Sequence, residues 1–328
     1  MNSDNINLLS ILNQKYKIED SLSFNVDKSG FIRASLNHKS GSELEIFLYG
    51  AHISTWNTAD KEPVLFMSSK ANFEYGSPIR GGIPIVFPQF GKDGDMSLPH
   101  GFARIKNWFV KDSSVTNSGA LILTLKLTND SETEKYWPNN FFEFELVITL
   151  TETLRLELIV SNTGNSAFTF ANALHTYFFV SDISNVSVLG LENLAFIDST
   201  KKLPPNTEKR GCITITENVD RIYLNAPNKL QIIDAGFNRK IEISKSNFYD
   251  AVLWNPWAEV SKNIVDLGDE DYKKMLCLEV GNVSHSGMIS KENENADEIV
   301  IEKSGRVLLN SGEKFNSWQE ILVNKIES

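Results

Sequence analysis

Several short stretches of this chain carry side chains that can move protons or hold anions. In ANALHTYFFVSD, residues 171–182, His175 sits among Ala173, Leu174, Tyr177 and Phe178. An imidazole in an apolar run is costly unless hydrogen-bonded, and its titration near neutrality suits a proton donor. A core histidine satisfied by a neighbour is the plainer reading. In MLCLEVGN, residues 275–282, Glu279 interrupts an apolar strand pattern that reaches Gly281. Burial and neighbours can tune its proton affinity, which makes it a candidate general base; the competing reading is an outward-facing strand residue. Alternation at period two puts Cys277 and Glu279 on one face.

Two arginines stand in constrained loops. SPIRGGIPIVFPQFG, residues 77–91, sets Arg80 before two glycines, with two prolines bracketing Ile-Val-Phe. Such a segment lets a ligand approach the backbone closely, although a turn with a solvated arginine has the same composition. LPHGFARIKNW, residues 98–108, spaces His100 and Arg104 four apart around a glycine. The planar guanidinium suits carboxylate or phosphate, while the plain alternative is a pair of surface groups. In ENVDRIY, residues 217–223, Asp220 adjoins Arg221, which reads as a hydroxyl-binding acid or a solvated pair. VLWNPW, residues 252–257, offers an aromatic wall for a sugar face, or a core corner.

The rest of the composition narrows the partners. The 328 residues are 41% apolar, enough for a large core, and 42 acidic against 32 basic residues leave a net charge of −10. That balance disfavours a polyanionic partner such as nucleic acid, so an anionic ligand needs a local basic site. Cys212 and Cys277 are far apart and form no C-x-x-C, which suggests neither a disulfide framework nor a zinc site. The opening MNSDNINLLSILNQ lacks a basic leader, and no run approaches a membrane span. A cytoplasmic protein without membrane partners is expected, and the N-x-S matches at Asn129, Asn185 and Asn282 then read as chance. No GxGxxG, P-loop, GxSxG or H-x-x-x-H pattern occurs.

The elements that must position these groups are strands. Residues 3–16 predict a short amphipathic helix with Leu8, Leu9, Ile11 and Leu12 close to one face, in an N-terminal extension over 1–20. Beyond it the period is two: Leu44, Ile46 and Leu48 alternate, as do Leu121, Leu123, Leu125 and Leu127. Residues 143–162 read as two strands about a Thr151–Glu152–Thr153 turn. Strand runs continue in FTFANALHTYFFV, KLQIIDA, RKIEISKS, YDAVLWN, MLCLEV, EIVIEKS and WQEILV, with KENENADE, 291–298, as a solvated loop. Many short strands without βαβ alternation predict an all-β, antiparallel sandwich domain over 21–328.

Taken in order, RGGIPIVFPQFG, HGFAR, LHTYFFV, VDRIY, VLWNPW and CLEVGN resemble the hexose-6-phosphate mutarotases, the glucose-6-phosphate 1-epimerases of the aldose 1-epimerase superfamily. The resemblance covers about residues 20–325. It implies a galactose mutarotase-like supersandwich, monomeric, free of cofactor and metal, that interconverts the anomers of a hexose 6-phosphate. By motif it implies His175 as general acid, Glu279 as general base, Arg80 and Arg104 on the phosphorylated sugar, Asp220 on sugar hydroxyls and His100 lining the cleft. Relatives often carry Gln where this chain has Pro99, and Gln89 or a backbone group is then expected to supply that contact. Two other readings stay open: a mutarotase of unphosphorylated hexoses, and a catalytically silent sugar-binding protein.

Overall fold

Apolar residues recurring at every second position can bury one side of a pleated sheet, and the chain uses them in that way. The computed structural model describes residues 3–60, 62–92, 96–201, 205–284 and 305–326, with side chains from residue 6. Among these, two large sheets dominate, and neighbouring strands in both run antiparallel. A nine-stranded sheet runs from Ile213–Thr214 at one edge to Phe109–Val115 at the other, through Lys314–Lys325, Leu154–Asn162 and Phe142–Leu150. Its inward residues include Leu146, Ile148, Leu156 and Leu158, all fully buried. The predicted turn joins two of its strands, with the Thr151 amide donating to the Thr153 carbonyl.

An eight-stranded sheet covers that surface. Its middle is Val219–Tyr223, Asp250–Asn255, Met275–Asn282 and Asn172–Leu174, ending at the two-residue strand Ile85–Val86. Leu276, Leu278 and Val280 join the core shared with the nine-stranded sheet. Met275 and Cys277 face the other way, into a smaller cluster with Phe66, Tyr177 and Leu267. Met275–Asn282 is therefore buried on both faces, which explains why the sequence there is apolar except at Glu279 and Asn282.

A four-stranded sheet, Leu22–Val26 to His52–Asn57, lies upstream. The helix Ser3–Tyr16 forms as predicted, but its buried stripe is narrower than expected: Leu12 is buried and Leu9 and Tyr16 partly so, while Leu8 and Ile11 are exposed. Asn13 docks it, donating to the Phe24 carbonyl at 2.8 Å and accepting from the Phe24 amide at 3.0 Å. A 100° step per residue turns Leu8 and Ile11 away from that anchor. The run FTFANALHTYFFV is three strands, Phe168–Phe170, Asn172–Leu174 and Tyr177–Phe179, where the apolar pattern suggested one. KENENADE and EIVIEKS lie outside the described residues. No helix among the described residues is long and apolar enough to cross a membrane.

Candidate active site

Residues directly opposite one another in antiparallel strands project from the same face, so the sheet register assembles the site. One row crosses four strands as Asp220, Trp254, Cys277 and Tyr177. The next carries Ile222, Val252 and Glu279. These rows point away from the main core. The break in the third predicted run adds the imidazole: His175 is the centre of a three-residue turn closed by the Thr176 amide on the Leu174 carbonyl at 2.9 Å, and its own amide donates to the Pro84 carbonyl.

His175 Nδ1 lies 3.1 Å from Glu279 Oε1, with both side chains buried. The contact lacks hydrogen-bond alignment, so Nδ1 has no hydrogen-bond partner among the described residues, and neither has Glu279 Oε2. Two buried polar atoms left unsatisfied at one point cost stability and are suited to a ligand that completes them. Burial, helped by Asp220, holds the Glu279 carboxyl well above the ordinary 4.5, with Arg104 opposing. Burial, His100 and the two arginines hold the His175 imidazole well below 6.5. A ring nitrogen of His175, Cys277 Sγ and a Glu279 oxygen lie within 4.8 Å of one another, a donor set zinc can use. Burial and Glu279 push the Cys277 thiol well above 9, so a metal would have to displace that proton to bind there.

The arginines flank this pair. Arg80 donates from Nε to Asp266 Oδ1 at 3.1 Å and from Nη1 to the Tyr177 hydroxyl at 3.0 Å. Burial works against its charge, but Tyr177 and Asp266 outweigh it and hold the guanidinium firmly protonated. Arg104 donates from Nη2 to the Pro99 carbonyl at 2.7 Å, so at the departure from the motif a backbone oxygen does the holding. Burial and the positive charge of Arg80 bring Arg104 down to about 10, although Tyr177 pulls the other way, a strain that a bound anion would relieve.

Gly82 lets the Arg80 loop pass so close. Its φ is +60°, and a Cβ there would overlap the Ile53 carbonyl oxygen and press on His52 Nε2 at 2.9 Å. Gly82→Ala is expected to cost at least about 1–2 kcal/mol from φ alone, before the clash is counted. A lowered thermal midpoint, read by circular dichroism, checks this.

His100 accepts the Gly91 amide at Nδ1, which leaves its proton on Nε2, and its ring stands 5.5 Å from that of His175. Burial and both arginines lower it to about 3, so it is a neutral donor. Asp220 is raised to about 6 by burial and by Asp198. Gln89, expected among the substrate contacts, has its carboxamide committed to the 89–98 loop: Nε2 faces the Gly91, Met96 and Leu98 carbonyls and Oε1 accepts the Met96 amide. It braces the loop that carries His100.

Two side chains at the site, Tyr177 and Asp266, were not singled out for it by the sequence reading, and Trp254 was marked only as half of the VLWNPW wall. Trp254 sets its ring edge to His175 at 6.3 Å and to Tyr177 at 5.9 Å. Trp257 instead takes φ +56° and packs on Tyr272, because Asn255 pins the corner between them. Tyr177 and Asp266 are the partners of Arg80 described above. Nothing local marks Asp266, 186 residues from Arg80.

Residues 33–321 match the family model described as aldose 1-epimerase. The chain belongs to the aldose 1-epimerase family. Among curated relatives of this family member, a "Putative glucose-6-phosphate 1-epimerase" of Cenchrus ciliaris is 39% identical over 259 residues, covering 76% of this chain and 78% of the relative. A protein of the same name from Escherichia coli K12 is 36% identical over 246 residues, covering 75% and 81%. In three dimensions the crystal structure of a "putative mutarotase (YeaD)" from Salmonella typhimurium matches with a TM-score of 0.81 at 28% identity, over 98% of this chain and 99% of that one. A galactose mutarotase-like protein of Clostridium acetobutylicum shares the fold at 16% identity, with a TM-score of 0.72 over 93% and 98%. The antiparallel, galactose mutarotase-like architecture expected from the motifs is the observed one.

Proposed function

We propose that this aldose 1-epimerase interconverts the α and β anomers of hexose 6-phosphates, with glucose 6-phosphate as the reference substrate, as a monomeric cytosolic isomerase. The observation that carries the reading is the buried His175–Glu279 contact, with a ring nitrogen and a carboxylate oxygen left for a ligand. The two arginines beside it support the phosphate. Asp220 and His100 bind hydroxyls, and Trp254 offers a sugar face its wall.

Ring opening breaks C1–O5 and needs one proton delivered to O5 and one taken from the C1 hydroxyl. Glu279 as carboxylate takes the latter while His175 as imidazolium gives the former, and the aldehyde forms. The pair ends as carboxylic acid and neutral imidazole, the uncharged arrangement that burial favours. Rotation about C1–C2 presents the other carbonyl face, and the two transfers reverse as the ring closes. One proton stays on the pair throughout.

That count sets the pH dependence. Below the acid limb the pair gains a second proton, which requires imidazolium beside carboxylic acid; burial, His100, Arg80 and Arg104 push that step well below the ordinary imidazole 6.5. Above the alkaline limb the pair loses its one proton, which requires a lone carboxylate; burial and Asp220 push that step well above 4.5, against Arg104. A bell-shaped kcat profile is expected, and its limbs belong to the pair and not to either residue. The test is exchange NMR of glucose 6-phosphate anomers across pH. Anomer exchange no faster than in buffer would end the proposal, and an acid limb at 6.5 would end the shared-proton account.

A further inference from the structure

Tyr177 touches both halves of the site. Its hydroxyl accepts Arg80 Nη1 at 3.0 Å, and its ring lies parallel to the His175 imidazole, 4.8 Å away at an interplanar angle of 7°. Trp254 closes the edge of that stack at 5.9 Å and 80°. The main chain repeats the tie: the Tyr177 amide donates to the Gly82 carbonyl, two residues past Arg80, and the Tyr177 carbonyl accepts the Phe66 amide, both at 2.9 Å. Tyr177 is 1% exposed, so neither its ring nor its hydroxyl has room to relax independently. On the far side of the guanidinium, Asp266 Oδ1 takes Nε, and Nη2 lies 3.1 Å from the same oxygen.

We propose that Tyr177 is a positioning residue that carries the grip of Arg80 to the His175 imidazole, so that a 6-phosphate held by Arg80 also sets where the ring-oxygen proton donor stands. This rests on the reading of Arg80 as a phosphate contact. The guanidinium is a rigid fork, so an anion on its free N–H groups moves or fixes it as one body. The hydroxyl follows the fork, and the imidazole follows the ring against which it is stacked. Binding energy from a remote, unreacting part of the substrate is thereby used to orient the reacting centre.

Two substitutions separate this from simple core packing in the Phe66, Leu267, Met275 and Cys277 cluster. Tyr177→Phe keeps the stack and removes the hydroxyl. It is expected to lower kcat/KM for glucose 6-phosphate relative to that for glucose by about 3- to 10-fold, the net reach of one ordinary hydrogen bond. Tyr177→Leu removes the stack as well. It is expected to lower kcat on both sugars by about 10-fold or more and to move the acid limb upward as His175 gains water, and the phenylalanine variant should recover that kcat. Equal losses on both sugars in the phenylalanine variant, or an unchanged kcat and acid limb in the leucine variant, would overturn the proposal. Arg80→Ala tells the two failures apart. If it leaves the sugar preference unchanged, the phosphate reading has failed; if it lowers that preference and Tyr177→Phe does not, the link through Tyr177 has failed.

Discussion

Replacing Glu279 by Gln is expected to lower kcat for anomer exchange by about 10³-fold, within the 10²–10⁴ that a positioned acid–base group contributes. The amide has the same shape and can neither take the proton from the C1 hydroxyl nor return it. Stability should move the other way or stay level. Glu279 is 1% exposed, its Oε2 has no hydrogen-bond partner among the described residues, and burial already penalises its charge. A neutral amide removes that penalty, as expected where a site holds a group against its own solvation. Exchange NMR gives the rate and thermal denaturation the stability. A variant with near-native rate would remove Glu279 from the mechanism, and one inactive only because it is unfolded would show a lowered midpoint.

That prediction was reachable from sequence because period-two alternation is a strong signal. It puts Cys277 and Glu279 on one face of Met275–Asn282, opposite the Leu276, Leu278 and Val280 that enter the core. The same signal marks Leu121–Thr128 and the pair of strands about Thr151. It fails where the chain stays apolar through a break. In FTFANALHTYFFV the hydrophobic pattern runs past the turn at His175, since the residues on both sides are buried on both faces, so the pause that aims the imidazole leaves no compositional trace. Tyr177 shows the related limit: a buried aromatic that organises a site and one that fills a core are the same letter. Gln89 shows a further limit, because a polar residue in a constrained loop can be engaged by that loop's own backbone, which its letter does not reveal. Pairings such as Arg80 with Asp266 depend on register over most of the fold, and no local spacing encodes them.

Replacing Arg104 by Ala is expected to raise KM for glucose 6-phosphate by about 10- to 100-fold while changing glucose by only a few-fold, the worth of hydrogen bonds to a charged partner. Arg104 is the guanidinium under strain: burial and Arg80 depress it to about 10, whereas Arg80 is already neutralised by Asp266. An incoming phosphate therefore gains most at Arg104. Lysine should restore only part of the preference, since an ammonium offers no planar fork. The charge also acts at a distance, because Arg104 helps lower both His100 and His175. Its removal makes a second proton on the catalytic pair easier to hold, so the acid limb of kcat should move to higher pH even with glucose, which has no phosphate to lose. Equal losses on both sugars with an unmoved limb would mean that Arg104 serves the loop through Pro99 alone. A selective loss with a moved limb would tie phosphate recognition and proton affinity to the same guanidinium.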